Sequence, residues 1–170
     1  MSLLSRLDLR ELTPSRLWTE LDPETRRLAA ETIYEVEDDS SRLEADMAIA
    51  AALRYRPQAV RKLPASKRVG YLLRAVRPDD SLAGSLLLAL HLGHRAPMLG
   101  SFLDRLGIEH EDGAIRVEKL EPPSAERLAA AVDGLYEQFP PADVDLYLSA
   151  LIALDPHTWA NLPATIERRG

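Results

Sequence analysis

Cysteine is absent from this 170-residue chain, which excludes disulfides, a thiolate nucleophile and thiolate metal ligands. The absence suits a reducing compartment. Aromatic residues are also scarce, with two Trp, five Tyr and two Phe, so the types that favour strands are few. No apolar run is long: Leu82 to Leu92 is about half the length a bilayer crossing needs. The opening MSLLSRLDLREL lacks an uninterrupted apolar segment and a small-residue cleavage site, so it does not read as a signal peptide. The expectation is a soluble, cytoplasmic protein with no membrane partner.

Chemical signatures are missing as well. There is no Gly-x-Ser-x-Gly elbow, no Ser-x-x-Lys in a convincing setting and no glycine-rich phosphate loop; the eight glycines are scattered. His91 and His94 are i, i+3 neighbours, and His110 lies in Glu109-His110-Glu111-Asp112. Two His and a carboxylate form a familiar metal set. Gly93, however, is expected to end the helix between the first two, and no Glu-x-x-His pattern accompanies them. His94 is expected to cap a helix C-terminus and His91 to pack, and neither a metal nor a cofactor is expected. Asp143 and Asp145 read as charges at a helix N-terminus. No catalytic residue is assigned, and a non-enzymatic protein is favoured.

One absence is local. From Met47 to Pro78 the chain has no Asp or Glu but eight basic residues: Arg54, Arg56, Arg61, Lys62, Lys67, Arg68, Arg74 and Arg77. The remainder holds 13 of the 21 Lys and Arg and all 27 Asp and Glu, so the net charge of −6 divides into +8 and −14.

What is present is Leu and Ala, within an apolar fraction of 46% and a charged fraction of 28%. Both are good helix formers, and the composition predicts an all-α protein. Helix-start signals recur at Thr13-Pro14, Asp22-Pro23, Ser41-x-x-Glu44, Asp79-Asp80, Ser124 and Asp155-Pro156. Apolar spacing then predicts helices carrying Leu17, Trp18 and Leu21; Ala29, Ile33 and Val36, to about Glu37; and Arg42 to Tyr55. Further helices are expected over 58–63, 66–76, 82–92 and 97–106, the last closed by Gly107. Two longer ones carry Leu128 to Phe139 and Val144 to Ile152, and short terminal turns follow through Trp159 and after Pro163. The two Trp are expected to anchor outer helices on the core.

Only residues 108–123 lack helical periodicity; Asp112-Gly113 there suits either a small hairpin or an ordered loop. The expected architecture is a single domain over 1–170 of about eight to ten short helices. It is a compact antiparallel bundle or a set of stacked helical hairpins, HEAT-like at most, with any internal boundary in 108–123. Leu21-Asp22-Pro23-Glu24-Thr25 resembles Leu154-Asp155-Pro156-His157-Thr158, but Asp-Pro is common helix-start chemistry and carries a repeat only weakly.

On the helix over 66–76, Val69, Leu72, Leu73 and Val76 define the buried face, with Lys67, Tyr71 and Arg74 opposite and Arg68 and Arg77 on the flanks. Three readings follow. The stripe is neutralised by the chain's own acidic flanks (Glu35, Glu37, Asp38, Asp39, Glu44 and Asp46 before it, Asp79 and Asp80 after), or it binds an acidic protein surface or a second copy, or it binds nucleic acid. Nucleic acid ranks last, because acidic residues adjoin the only basic region, the sequence pI is about 5.3 and no nucleic-acid module is recognisable. The favoured function is an interaction or scaffold module using Lys67, Arg68, Tyr71, Arg74 and Arg77. The alternative is a ligand-binding or enzymatic helical domain with a pocket near residues 108–123, where His110, Glu111 and Asp112 collect.

Overall fold

The structure is a computed structural model that describes residues 2–36 and 38–170. It is all-α, 68% helical, with ten α-helices among the described residues. None of these helices is long and apolar enough to cross a membrane. The backbone divides into two compact units, one of residues Pro14–Gly93 and one of residues 2–13 with His94–Gly170.

The first unit holds α1 (Pro14–Glu20), α2 (Pro23–Glu35), α3 (Asp39–Leu53), α4 (Pro57–Arg61), α5 (Ala65–Ala75) and α6 (Asp80–His94). Leu17 and Trp18 bury the inner side of α1. Its C-terminal carbonyls are closed by Arg26, whose Nε donates to Trp18 O at 3.1 Å and whose NH2 donates to Thr19 O at 2.7 Å. Asp22 caps α2 as its position before proline suggests, accepting from Thr25 N at 2.8 Å. The predicted end near Glu37 lies outside the described residues; α2 itself closes at Glu35.

The start predicted for α3 is corrected. Asp38, not Ser41, is the N-cap, accepting from Ser40 N at 3.0 Å, while Ser41 Oγ donates to the same carboxylate at 2.8 Å. A carboxylate accepts the free amides of a helix start more strongly than a hydroxyl does, so α3 begins upstream of the capping-box spacing. Helices α2 and α3 both pack on α5.

Gly93 also departs from expectation, since α6 continues through it to His94. A Cβ at Gly93 would lie 2.7 Å from Thr32 Cγ2, so this glycine exists to let α6 approach α2, not to stop a helix. His91 and His94 therefore share one helix. His91 is buried, its Nδ1 2.8 Å from Leu87 O, and His94 is exposed.

In the second unit a 3-10 turn at Leu4–Arg6 precedes α7 (Ala96–Arg105), strands β1 (His110–Glu111) and β2 (Ala114–Ile115), α8 (Ala125–Gln138), α9 (Pro141–Leu154) and α10 (Leu162–Arg169). The strands form the hairpin suggested by Asp112-Gly113, pairing His110 with Ile115 and Glu111 with Ala114. Both turn residues have positive φ, 49° at Asp112 and 88° at Gly113, the geometry a two-residue turn requires. Ser124 caps α8 through Arg127 N at 3.3 Å. The core centres on Phe102, whose ring meets Tyr147 edge-on at 5.5 Å and Trp159 at 5.7 Å; Trp18 and Trp159 are both buried, as predicted.

Each unit contains a tyrosine that donates to a buried aspartate and carries an arginine over its ring. In the first, Tyr34 (α2) donates to Asp46 (α3) at 2.9 Å, and the Arg68 guanidinium (α5) lies 5.3 Å over the Tyr34 ring. In the second, Tyr136 (α8) donates to Asp145 (α9) at 2.5 Å, and the Arg169 guanidinium (α10) lies 4.3 Å over the Tyr136 ring. Asp46 is 2% exposed and Asp145 7%. A carboxylate so placed needs hydrogen-bond donors, and each tyrosine supplies one; Arg68 also neutralises Asp46, whereas Arg169 pairs with Asp133 and not with Asp145.

Candidate functional site

Helix α5 carries the residues singled out by charge. Val69 and Leu72 bury its inner side, Leu73 and Val76 are half-buried, and Lys67 and Arg74 stand exposed. Tyr71 is half-buried with the Arg74 guanidinium 6.0 Å from its ring, and Arg77 is exposed just beyond the helix end. Lys67, Tyr71 and Arg74 thus line the outer side of α5, with Arg77 in the segment that follows it.

Arg68 is placed differently. Its Nε donates to Leu63 O at 2.9 Å, its NH2 to Arg61 O at 2.5 Å, and its NH1 lies 3.2 Å from Asp46 Oδ2. Those contacts satisfy the carbonyls left open at the end of α4 and neutralise a buried carboxylate. Arg68 is a staple between α3, α4 and α5. Sequence spacing put it on the flank of the helix, and a flank position facing a buried acid is an internal one.

The other seven cations of the basic stretch have no carboxylate at ion-pairing distance among the described residues. The reason lies in what the acidic flanks do instead. Asp38 caps α3, Asp39 pairs with Arg42, and Glu44 accepts from Ser81 at 2.5 Å and Ser85 at 2.8 Å. Asp46 takes Arg68, Asp79 caps α6 through Leu82 N at 2.9 Å, and Asp80 accepts from Ser15 N at 3.0 Å. Glu37, part of the same expected screen, lies outside the described residues. Local helix-start and packing contacts hold the acids before the cations can.

The alternative site near residues 108–123 is a cleft of about 600 Å³ bordered by Gly100, Ser101, Asp104, Arg105, His110 and Asp112, among others. His110 Nδ1 accepts from Gly113 N at 3.1 Å, so the proton of its neutral ring sits on Nε2, 2.7 Å from Asp104 Oδ1. Both ring nitrogens are engaged, which leaves no lone pair for a nucleophile's proton or a metal. Glu111 pairs with Arg116 at 2.8 Å, pointing away from such a role. No group of three or more potential ligands that could hold a metal occurs among the described residues.

A larger cavity of about 710 Å³ opens in the second unit and is lined by Tyr136, Asp145, Arg169 and residues of the N-terminal arm. The sequence reading missed it, counting position 136 only as part of the helix that carries Leu128 to Phe139 and Asp145 as a charge at a helix N-terminus. A signal was present: Tyr34 stands twelve residues after its N-cap Asp22, and Tyr136 twelve after its N-cap Ser124. Burial holds both phenols above their ordinary ionisation range, and the hydrogen bonds to Asp46 and Asp145 add to the shift.

No family model, curated protein or solved structure matches this chain.

Proposed function

We propose that this chain is a non-enzymatic helical interaction module that offers Lys67, Tyr71, Arg74 and Arg77 to an acidic surface on a partner protein, in a reducing, cytoplasmic setting. Arg68 contributes by anchoring the helix that presents them. The observation that carries the reading is the set of seven cations with no carboxylate partner among the described residues. Exposed charge of one sign steers an oppositely charged partner and sets its orientation, with an effect that salt screens over about 10 Å at 0.1 M. A protein partner is favoured over nucleic acid because no nucleic-acid module is recognisable in the chain, and because a compact acidic patch can avoid the −14 on the rest of the chain that an extended polyphosphate meets.

The test is fluorescence anisotropy with a labelled peptide rich in Glu and Asp with interspersed Leu and Phe, at about 50 and about 200 mM salt. Affinity should fall with salt and be lost in a Lys67→Glu, Arg74→Glu, Arg77→Glu variant whose circular dichroism is unchanged. Binding by that variant equal to the parent's would reject the reading. Duplex DNA binding more tightly than the peptide would put nucleic acid in its place.

The cleft beside His110 supports a second reading, a small-ligand site. A thermal-shift panel that finds a stabilising ligand, whose effect disappears on Ser101→Trp, would favour it.

A further inference from the structure

Helix α3 is apolar on two sides. Its inner side buries Ala45, Ile49 and Ala50 together with Asp46, which is the requirement of its own unit. Its outer side should then be polar, and it is not. Leu43, Met47 and Tyr55 are 42%, 50% and 51% exposed, and Ala51 between them is exposed too. Leu43, Met47 and Ala51 therefore follow one stripe at i, i+4 and i+8 of α3, and Tyr55 is exposed two residues beyond the helix end. Single exposed apolar side chains are ordinary, but a continuous stripe marks a contact surface. The turn that carries Tyr55 is fixed: Arg54 turns left-handed at φ 57° and Tyr55 N donates back to Ala50 O at 3.0 Å.

Charge decides what covers the stripe. Asp38 and Asp39 stand at the N-terminal end of α3, and Arg54 and Arg56 stand at its C-terminal end, all exposed. This polarity is complementary to itself reversed. We infer that α3 pairs antiparallel with α3 of a second copy of this chain, about a two-fold axis at Met47. About that axis Leu43 of one copy meets Ala51 of the other, a large residue against a small one. Asp39 of one copy, 96% exposed even while it pairs with Arg42, meets the Arg54–Tyr55 end of the other, twice over, and shares its carboxylate between the two arginines. A parallel pairing would set like charges together, and a uniformly acidic partner would face Asp38 and Asp39 at one end. A single helix pair is a small interface, so the dimer is a weak one. The inference uses residues distinct from the α5 face, so either can fail alone.

Sedimentation equilibrium of the full chain from about 1 μM to about 1 mM tests it, the window in which so small an interface associates. A monomer–dimer equilibrium is expected in that range. Met47→Glu should leave a monomer at every concentration with helicity unchanged, since the side chain is half in solvent. Asp39→Arg alone and Arg54→Glu alone should each weaken dimerisation about tenfold or more, and the two together should restore it. A monomeric parent chain over the whole range overturns the inference. So does a dimer indifferent to Met47→Glu, or a double variant no tighter than the single ones.

Discussion

Arg68 and Asp46 form a half-buried ion pair across α5 and α3, 3.2 Å apart, with the carboxylate nearly sealed from solvent and the Tyr34 hydroxyl on its other oxygen. This pair separates the basic stretch into one cation paired inside its unit and seven with no carboxylate at ion-pairing distance among the described residues.

Truncation of that one cation should therefore be expensive. Arg68→Ala leaves Asp46 charged and buried without its counterion, a change that costs about 3–5 kcal/mol. Lys67→Ala, one residue away and exposed, should stay within about 0.5 kcal/mol. Urea unfolding of both variants gives the comparison. Replacing the pair together, Asp46→Leu with Arg68→Met, should recover much of the loss; a double variant as unstable as Arg68→Ala would mean that the hydrogen bonds from Arg68 to Leu63 and Arg61, not the pair, carry the stability.

Gly93 gives a prediction whose sign depends on Thr32. Alanine in a helix is ordinarily better than glycine by about 1 kcal/mol. At position 93 the added methyl would meet Thr32 Cγ2, so Gly93→Ala should instead destabilise by about 1–3 kcal/mol. Thr32→Ser removes the obstructing methyl and keeps the hydroxyl that donates to Leu28 O at 2.6 Å. In that background Gly93→Ala should become neutral or stabilising, read from thermal midpoints of the four chains.

Alkaline titration should expose three of the five tyrosines as silent. Burial, foremost, holds Tyr34, Tyr136 and Tyr147 above the ordinary phenol range, with the Asp46 and Asp145 bonds adding to the first two. The folded form keeps its phenolic protons more tightly than the unfolded form. The stability they contribute is thus complete below pH of about 10 and is lost as pH rises above it. Ultraviolet difference spectra should show these three ionising only together with loss of helicity. Reversible ionisation of all five in a folded chain would contradict the burial described.

At the acid end the relevant group is Asp22. The Thr25 amide, chiefly, holds its carboxyl below the usual value of 3.8. Here the charged form is favoured by folding, so its contribution is present above pH of about 4 and fades as pH falls through the lowered value. Asp22→Asn should keep most of the cap and flatten stability between about pH 4 and 2, whereas Asp22→Ala should cost about 1 kcal/mol at neutral pH.

Local chemistry was the legible part of the sequence. Proline after Thr13 and Asp22, serine at 124 and the Asp112-Gly113 turn specify their structures within a few residues, and the helices followed from them. Gly93 was misread because a glycine reports its role through a neighbour far along the chain, here Thr32, which no spacing rule reveals. Arg68 and Asp145 were misread for the same reason: charge is visible in a sequence, but burial of that charge depends on which helices meet. The resemblance weighed between Leu21-Asp22-Pro23 and Leu154-Asp155-Pro156 compares a true helix cap with one that closes only a turn, Asp155 accepting from Thr158 N at 3.2 Å. The better correspondence was α2 with α8, where Glu24, Ala29, Tyr34 and Glu35 match Glu126, Ala131, Tyr136 and Glu137 in step.

The hairpin turn also bears on how this chain ages. An Asp-Gly peptide deteriorates when the glycine nitrogen attacks the aspartate side-chain carbonyl, closing a succinimide that reopens as isoaspartate. The chain has two such dipeptides, Asp112-Gly113 and Asp133-Gly134. Gly134 lies within α8, its nitrogen tied into the helix ladder. Gly113 is outside any helix, but its N–H is held by the His110 ring and its α-carbon packs against Leu99. The histidine that looked like a ligand is thus a guard on the backbone. His110→Ala, whatever it does to the cleft, should shorten the chemical lifetime of the peptide bond two residues away from it.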